Sequence, residues 1–158
     1  MIGIRDDMNW AQAFVAGQLT LFAIFAAAWL RLTRSAEGLL VILGLVLIVG
    51  AGGLFVLAVV EHQRRNQSLP KMSPTPNQRA ELVESGLYRH IRHPIYTAVL
   101  TGALGAAALH GHLALFAMVA ALAVFFTIKS RYEESLLRQV YPEYAAYMLR
   151  TGRFLPFF

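Results

Sequence analysis

The chain has 158 residues, of which 57% are hydrophobic and only 15% charged, with a formal net charge of +5. That balance belongs to the membrane class rather than to soluble domains. Its basic residues lie between apolar segments instead of forming a face, which argues against nucleic acid as a partner, and the absence of cysteine excludes a disulfide frame, thiolate chemistry by the protein and Cys-bound zinc.

A spanning helix needs about 20 apolar residues at a rise of about 1.5 Å each. Trp10–Leu30 supplies 21 residues without a charge, and Gly38–Val60 supplies 23. The first run resembles a secretory signal, with Ala26–Ala28 in the place of a cleavage site. Asp6 and Asp7 precede it beside Arg5, however, and the run is too long, so a retained span is expected. Gly50, Gly52 and Gly53 look like a fragment of a phosphate loop, but they sit in mid-span with no strand before them, and are expected to serve packing or kinking.

Pro94–Ile128 gives another 35 apolar residues, interrupted by His110-Gly111-His112. Two short helices of 16 residues each, Pro94–Leu109 and Leu113–Ile128, are expected to form a hairpin at Gly111. The two histidines, close together and without further ligands, predict a polar turn rather than a metal site. No Gly or Pro lies between Gly111 and Pro142, so the last helix should run on to about Val140. At roughly 40 Å it would exceed the roughly 30 Å hydrocarbon layer.

The expected fold is therefore all-α. It is a polytopic integral membrane protein with four transmembrane helices, at about 10–30, 38–60, 94–109 and 113–128. The last extends into the cytosol, and a helical C-terminal tail follows at 129–158. Residues 1–158 read as a single domain, with a cytosolic loop at 61–93 whose Pro70, Pro74 and Pro76 forbid regular helix. With four spans, the N-terminus, loop and tail share one side. That side carries twelve Lys and Arg, and the other carries only Arg31 and Arg34. The positive-inside rule then puts both termini in the cytoplasm.

The polar residues crowd at the start of the third span. In Gly86–Tyr96, "GLYRHIRHPIY", two arginines, two histidines and two tyrosines lead into Pro94. Pro94 suits the first position of a helix. The free N–H groups there, with Arg92 and His93 beside them, suit a carboxylate or phosphate. Tyr88 and Tyr96 add flat apolar surface with hydroxyl tips. On the last helix Phe125, Lys129 and Glu133 recur at i, i+4 and i+8 and so share one stripe. Glu134 and Arg138 form a second i, i+4 pair, expected to be a solvent-facing salt bridge. The residues alone point to a pocket at the membrane surface for a zwitterionic, nucleotide-like ligand and a lipophilic partner.

"LVESGLYRHIRHPIY" (Leu82–Tyr96) followed by "YEESLLRQVYPEYAAYMLRTGRFLP" (Tyr132–Pro156) resembles the isoprenylcysteine carboxyl methyltransferase and phospholipid methyltransferase group of integral membrane enzymes. Both blocks occur in that family's order and spacing, and together they cover roughly the C-terminal half. The resemblance implies S-adenosylmethionine as methyl donor and S-adenosylhomocysteine as product. Carried over residue by residue, it implies a cofactor pocket of Leu82, Val83, Tyr88, His93, Pro94, Tyr96 and Glu133. Arg92, through the helix-start argument, and Glu134 are expected in the same cofactor-binding set.

Lys129 stands where the isoprenylcysteine members carry an arginine that meets the substrate. This speaks against a prenylated-protein acceptor, because lysine cannot form the same bidentate fork. Tyr141-Pro142 replaces the family's Phe-Gly, a local change of turn. The expected reaction is direct in-line methyl transfer to a lipophilic or membrane-associated acceptor, with no residue assigned as acid or base and no metal. Phe125 would meet the acceptor's apolar tail, Lys129 its head, and Lys129 or Arg131 would steer an anionic one. The residues do not distinguish a carboxylate, thiol or amine acceptor. Other readings of the same pattern are a non-catalytic membrane scaffold and a nicotinamide-dependent lipid reductase, whose known forms are much longer.

Overall fold

A computed structural model describes residues 4–70, 72 and 81–156, with side chains from Trp10 onward. Pro74, Pro76, Lys71 and Arg79, and the side chains of Arg5, Asp6 and Asp7, lie outside the described residues. The elements are α1 (Ile4–Arg31), α2 (Leu39–Asn66), a 3-10 turn (Gly86–Arg89), α3 (Pro94–His110), α4 (Leu113–Val140) and α5 (Tyr144–Arg150). The chain is all-helical apart from one isolated bridge between Ile91 and Gly152 among the described residues.

Trp10–Arg31, Gly38–Asn66 and Leu113–Val140 are long and apolar enough to cross a membrane. Their large side chains face outward: Val49, Leu39 and Leu113 are among those left exposed, as expected where lipid rather than protein covers them. α3 is apolar but has only 17 residues, about 26 Å at the helical rise. α2 also departs from its expected end at Val60. Glu61–Asn66 contains no Gly or Pro and continues the helix, which stops at Gln67 in the left-handed conformation (φ 51°). The polar loop is correspondingly shorter.

Chain order is not spatial order. α1 packs on α4, α4 on α3, and α3 lies along α2. The α2–α3 seam is made by glycine. A Cβ placed on Gly44 would sit 2.9 Å from the Gly105 carbonyl oxygen and 2.8 Å from Leu109 N, and one on Gly105 would meet Ile48 N at 3.0 Å. Gly102, where a Cβ would lie 3.5 Å from Ala51 Cβ, extends the same small-residue face of α3. Gly50, Gly52 and Gly53 do not take part. A Cβ on any of them would meet nothing within 4 Å, and α2 runs through them unbroken. Within the chain they pack against nothing.

The hairpin between α3 and α4 forms as its sequence suggests. Gly111 adopts φ 78°, and a Cβ there would lie 2.6 Å from Ala36 N. The preceding His110 carbonyl accepts the N–H groups of Ser35 (2.8 Å) and Ala36 (3.1 Å). His112 Nδ1 accepts the Ala114 N–H and caps α4, while His110 Nε2 lies 3.1 Å from the Leu32 carbonyl. No group of three metal-ligating side chains occurs among the described residues. At the opposite end, residues after α5 return to the start of α3. Arg92 N donates to Gly152 O (2.9 Å), His93 N to Arg153 O (3.1 Å), and Gly152 N to His90 O (3.0 Å). This strap ties the chain's last turn to the Arg-His-Pro segment.

Candidate functional site

Pro94 begins α3, as its missing N–H and fixed φ favour. His93 is therefore held just outside the helix, where its ring stacks on Tyr96 one turn away (centroids 5.3 Å, planes 5° apart). Tyr96 in turn stacks on Phe126 of α4 (4.7 Å). This ladder of rings joins the start of α3 to the distal part of α4. Glu133 closes it: Tyr96 Oη donates to Glu133 Oε2 at 3.0 Å, and His93 Nδ1 lies 3.6 Å from the same oxygen.

One turn back along α4, Lys129 is wholly buried. Its ammonium donates to Gln18 Oε1 of α1 (2.6 Å) and to the Met72 carbonyl (2.7 Å), and sits 5.2 Å over the Tyr96 ring. The aromatic face and two neutral oxygens solvate the charge from which water has been removed.

Glu134 has a different neighbourhood from the one its spacing predicts. It is 1% exposed and is not salt-bridged to Arg138, whose Nε reaches only the Glu134 backbone carbonyl. Its carboxylate instead receives Arg92 Nε (2.9 Å) and two donors of Arg153 (2.6 and 3.2 Å), with His93 Nε2 at 3.3 Å. The other arm of Arg92 is committed to the carbonyls of Met148 and Thr151 and to Thr151 Oγ1. Arg92 therefore holds α4, α3 and the strap together, and its fork is already engaged within the protein. A buried charge so fully paired is a clamp.

The hollow beside these groups has a volume of about 610 Å³, within the range of about 300–1,000 Å³ usual for small-molecule sites. Leu82, Val83, Tyr88, Arg92, His93, Pro94, Tyr96, Lys129 and Glu133 all line it. Glu134, Phe125 and Arg131 are not among its walls. Glu134 lies behind them in the clamp. Phe125 points at α1, where its ring would lie 3.1 Å from a Cβ on Gly17 and packs edge-on to Phe14. Arg131 is exposed to the outside.

The hollow has walls that the local motifs did not indicate. Gln18 and Phe22 come from α1, and His62 and Asn66 from the extended end of α2. Tyr144 and Tyr147 come from α5. The closely spaced tyrosines were the available signal for α5. Burial pushes the Tyr88, Tyr144 and Tyr147 hydroxyls above the ordinary phenol range, so they stay neutral. Tyr147 Oη accordingly donates to the Tyr88 carbonyl at 2.6 Å.

A family model described as phospholipid methyltransferase matches residues 39–144, more than half of the chain. The chain belongs to the phospholipid methyltransferase family. The matched stretch of this methyltransferase fold carries Arg92, His93, Tyr96, Lys129, Glu133 and Glu134, but leaves out α1 and the strap. The protein is also similar to the cobalt-zinc-cadmium resistance protein of Cupriavidus metallidurans, 41% identical over 76 residues, which is 48% of this chain and 35% of that one. The nickel-cobalt-cadmium resistance protein of Alcaligenes xylosoxydans xylosoxydans is 36% identical over 77 residues, 48% of this chain and 36% of its own. The match thus spans about a third of the length of these relatives.

Proposed function

We propose that the chain is an S-adenosylmethionine-dependent methyltransferase acting on a lipophilic or membrane-associated acceptor at the cytosolic face. In this reading α3 is a fourth, short crossing, and the positive-inside bias puts both termini, the loop and the tail in the cytoplasm. The observation that carries the proposal is the convergence of His93, Tyr96 and Glu133 on one hollow at the start of α3. Membership of the methyltransferase family supplies the reaction class.

The residues fit the cofactor's chemistry. Glu133 offers a carboxylate to ribose hydroxyls or to the amino group, and Leu82 and Val83 offer apolar walls to a base. The ring of Tyr88, which lines the hollow, tolerates a sulfonium. When bound, S-adenosylmethionine would supply a methyl group activated on sulfur, and in-line displacement by the acceptor would leave S-adenosylhomocysteine.

The chain's own part is positioning and exclusion of water. The clamp of Arg92, Glu134 and Arg153 holds His93 against Glu133. Lys129, anchored by Gln18 and Met72, places a cation at the wall where an acceptor head would lie. Phe22, Phe55 and Val99, which line the hollow, supply apolar surface for its tail. That role passes to them from Phe125, which faces elsewhere.

Calorimetry with S-adenosylhomocysteine on the detergent-solubilised protein tests this. Saturable binding is expected, weakened about tenfold or more by Glu133→Gln and by His93→Ala, as for loss of a charge-assisted hydrogen bond. No binding by the wild-type chain, or binding indifferent to both changes, would leave the scaffold reading in its place.

A further inference from the structure

Asn66 ends α2 and lines the hollow. Its Oδ1 accepts the Glu81 N–H at 2.7 Å, which settles the orientation of the amide. Nδ2 is buried and has no hydrogen-bond partner. Leaving a buried donor unpaired is unfavourable, so its place asks for an explanation. Glu84 Oε1 and His110 Nδ1 are likewise buried and unpaired, but neither residue lines the hollow. Asn66 does, and it is tied to the segment that supplies Leu82 and Val83.

The walls contributed from this neighbourhood narrow the chemistry of the missing partner. Leu69 and Pro70 follow Asn66 in the chain, Leu82 and Val83 follow its partner Glu81, and all four line the same hollow. They are apolar. Glu81 also lines the hollow, but its carboxylate is paired with Arg65 at the surface (2.7 Å). An unpaired neutral donor between the apolar Leu69–Pro70 and Leu82–Val83 segments matches a flat, neutral acceptor. It does not match a carboxylate or phosphate, which would be desolvated there without a cation.

We propose that Asn66 reads the nucleobase of the cofactor, its Nδ2 donating to a ring nitrogen of adenine between the Leu69–Pro70 and Leu82–Val83 segments. This rests on the S-adenosylmethionine reading above and adds a residue-level basis for selecting the base. The Oδ1 bond to Glu81 gives Asn66 its second task, holding the loop's return against the end of α2.

Asn66→Asp separates the two tasks, since it keeps an oxygen for the Glu81 N–H and removes the donor. Calorimetry should show S-adenosylhomocysteine bound about tenfold more weakly by this variant. The 1-deaza, 3-deaza and 7-deaza adenine analogues of S-adenosylhomocysteine identify the acceptor. One of them should bind the wild type about tenfold more weakly and bind Asn66→Asp no worse than the parent compound does. Unchanged binding by the variant overturns the inference, as does an analogue penalty that is the same in both proteins. If the variant does not fold, equal wild-type affinity for all three analogues and the parent overturns it. Failure of the wild type to bind S-adenosylhomocysteine at all would instead bring down the cofactor reading, and this inference with it.

Discussion

The two halves of the molecule are held by different forces. α1 and α2 present apolar side chains outward, and the α2–α3 seam is a close approach of backbones at Gly44 and Gly105. The C-terminal half of α4, the start of α3 and the strap instead share a buried network around Glu134. Packing of small residues tolerates no added atom at the seam. The polar network tolerates no missing partner at the site. The hollow lies where the two regimes meet, with Phe22 and Phe55 from the first and Arg92 and Glu133 from the second among its walls.

The largest expected effect breaks the polar half. Glu134→Leu removes the acceptor shared by Arg92 and Arg153 and leaves two guanidinium groups in a poorly solvated place. Truncating one partner of a buried pair typically costs about 3–5 kcal/mol. Glu134→Leu should lower the unfolding temperature in detergent sharply and release the strap, seen as new proteolysis after Arg150. Arg138→Leu, which loses only a long contact to a backbone carbonyl, should do neither. Equal stability of the two variants would show that the network does not hold this half.

The seam gives an intermediate effect. Gly44→Ala and Gly105→Ala each drive a methyl into backbone atoms, and overpacking of this kind costs about 1–3 kcal/mol. Gly50→Ala, Gly52→Ala and Gly53→Ala enter open space, and the better helix propensity of alanine should leave stability unchanged or slightly raised. Thermal unfolding of the five variants sorts them into two groups if glycine acts only at the seam.

The smallest effect concerns pH. Burial raises Tyr88, Tyr144 and Tyr147 in the folded state, so folding favours their protonated forms. That contribution is complete below the unfolded value of about 10 and is lost as pH rises above it toward the higher folded values. Stability should therefore be flat across neutral pH and fall in the alkaline range, less steeply in Tyr147→Phe. The same substitution removes the bond to the Tyr88 carbonyl, so it should also lower stability at pH 7 by about 1 kcal/mol.

Much of the frame was legible in the chain. Uncharged runs marked α1 and α2, Pro94 marked the start of α3, Gly111 marked the hairpin, and the lack of Gly or Pro to Pro142 marked the length of α4. The site was legible where its residues were contiguous or periodic. His93, Pro94 and Tyr96 sit within one turn, and Lys129 and Glu133 lie along one helical stripe. Phe125 shares that stripe by spacing, but the stripe is wide enough that α1 takes its upper end. Glu134 misled because an i, i+4 cation was in view while its true partners were 42 and 19 residues away. Gln18 and Asn66 carried no local signal, each being a single amide in an unremarkable helical context.

What the sequence determined alone was the run of apolar helices and their punctuation at Pro94 and Gly111, because backbone preference and burial in lipid act residue by residue. It could also place a cluster of polar groups at the beginning of α3. Only the tertiary structure decided which charges neutralise one another and which remain turned toward the hollow. Pairing depends on distances between segments far apart in the chain, and in a medium that excludes water each charge must find its partner through the fold.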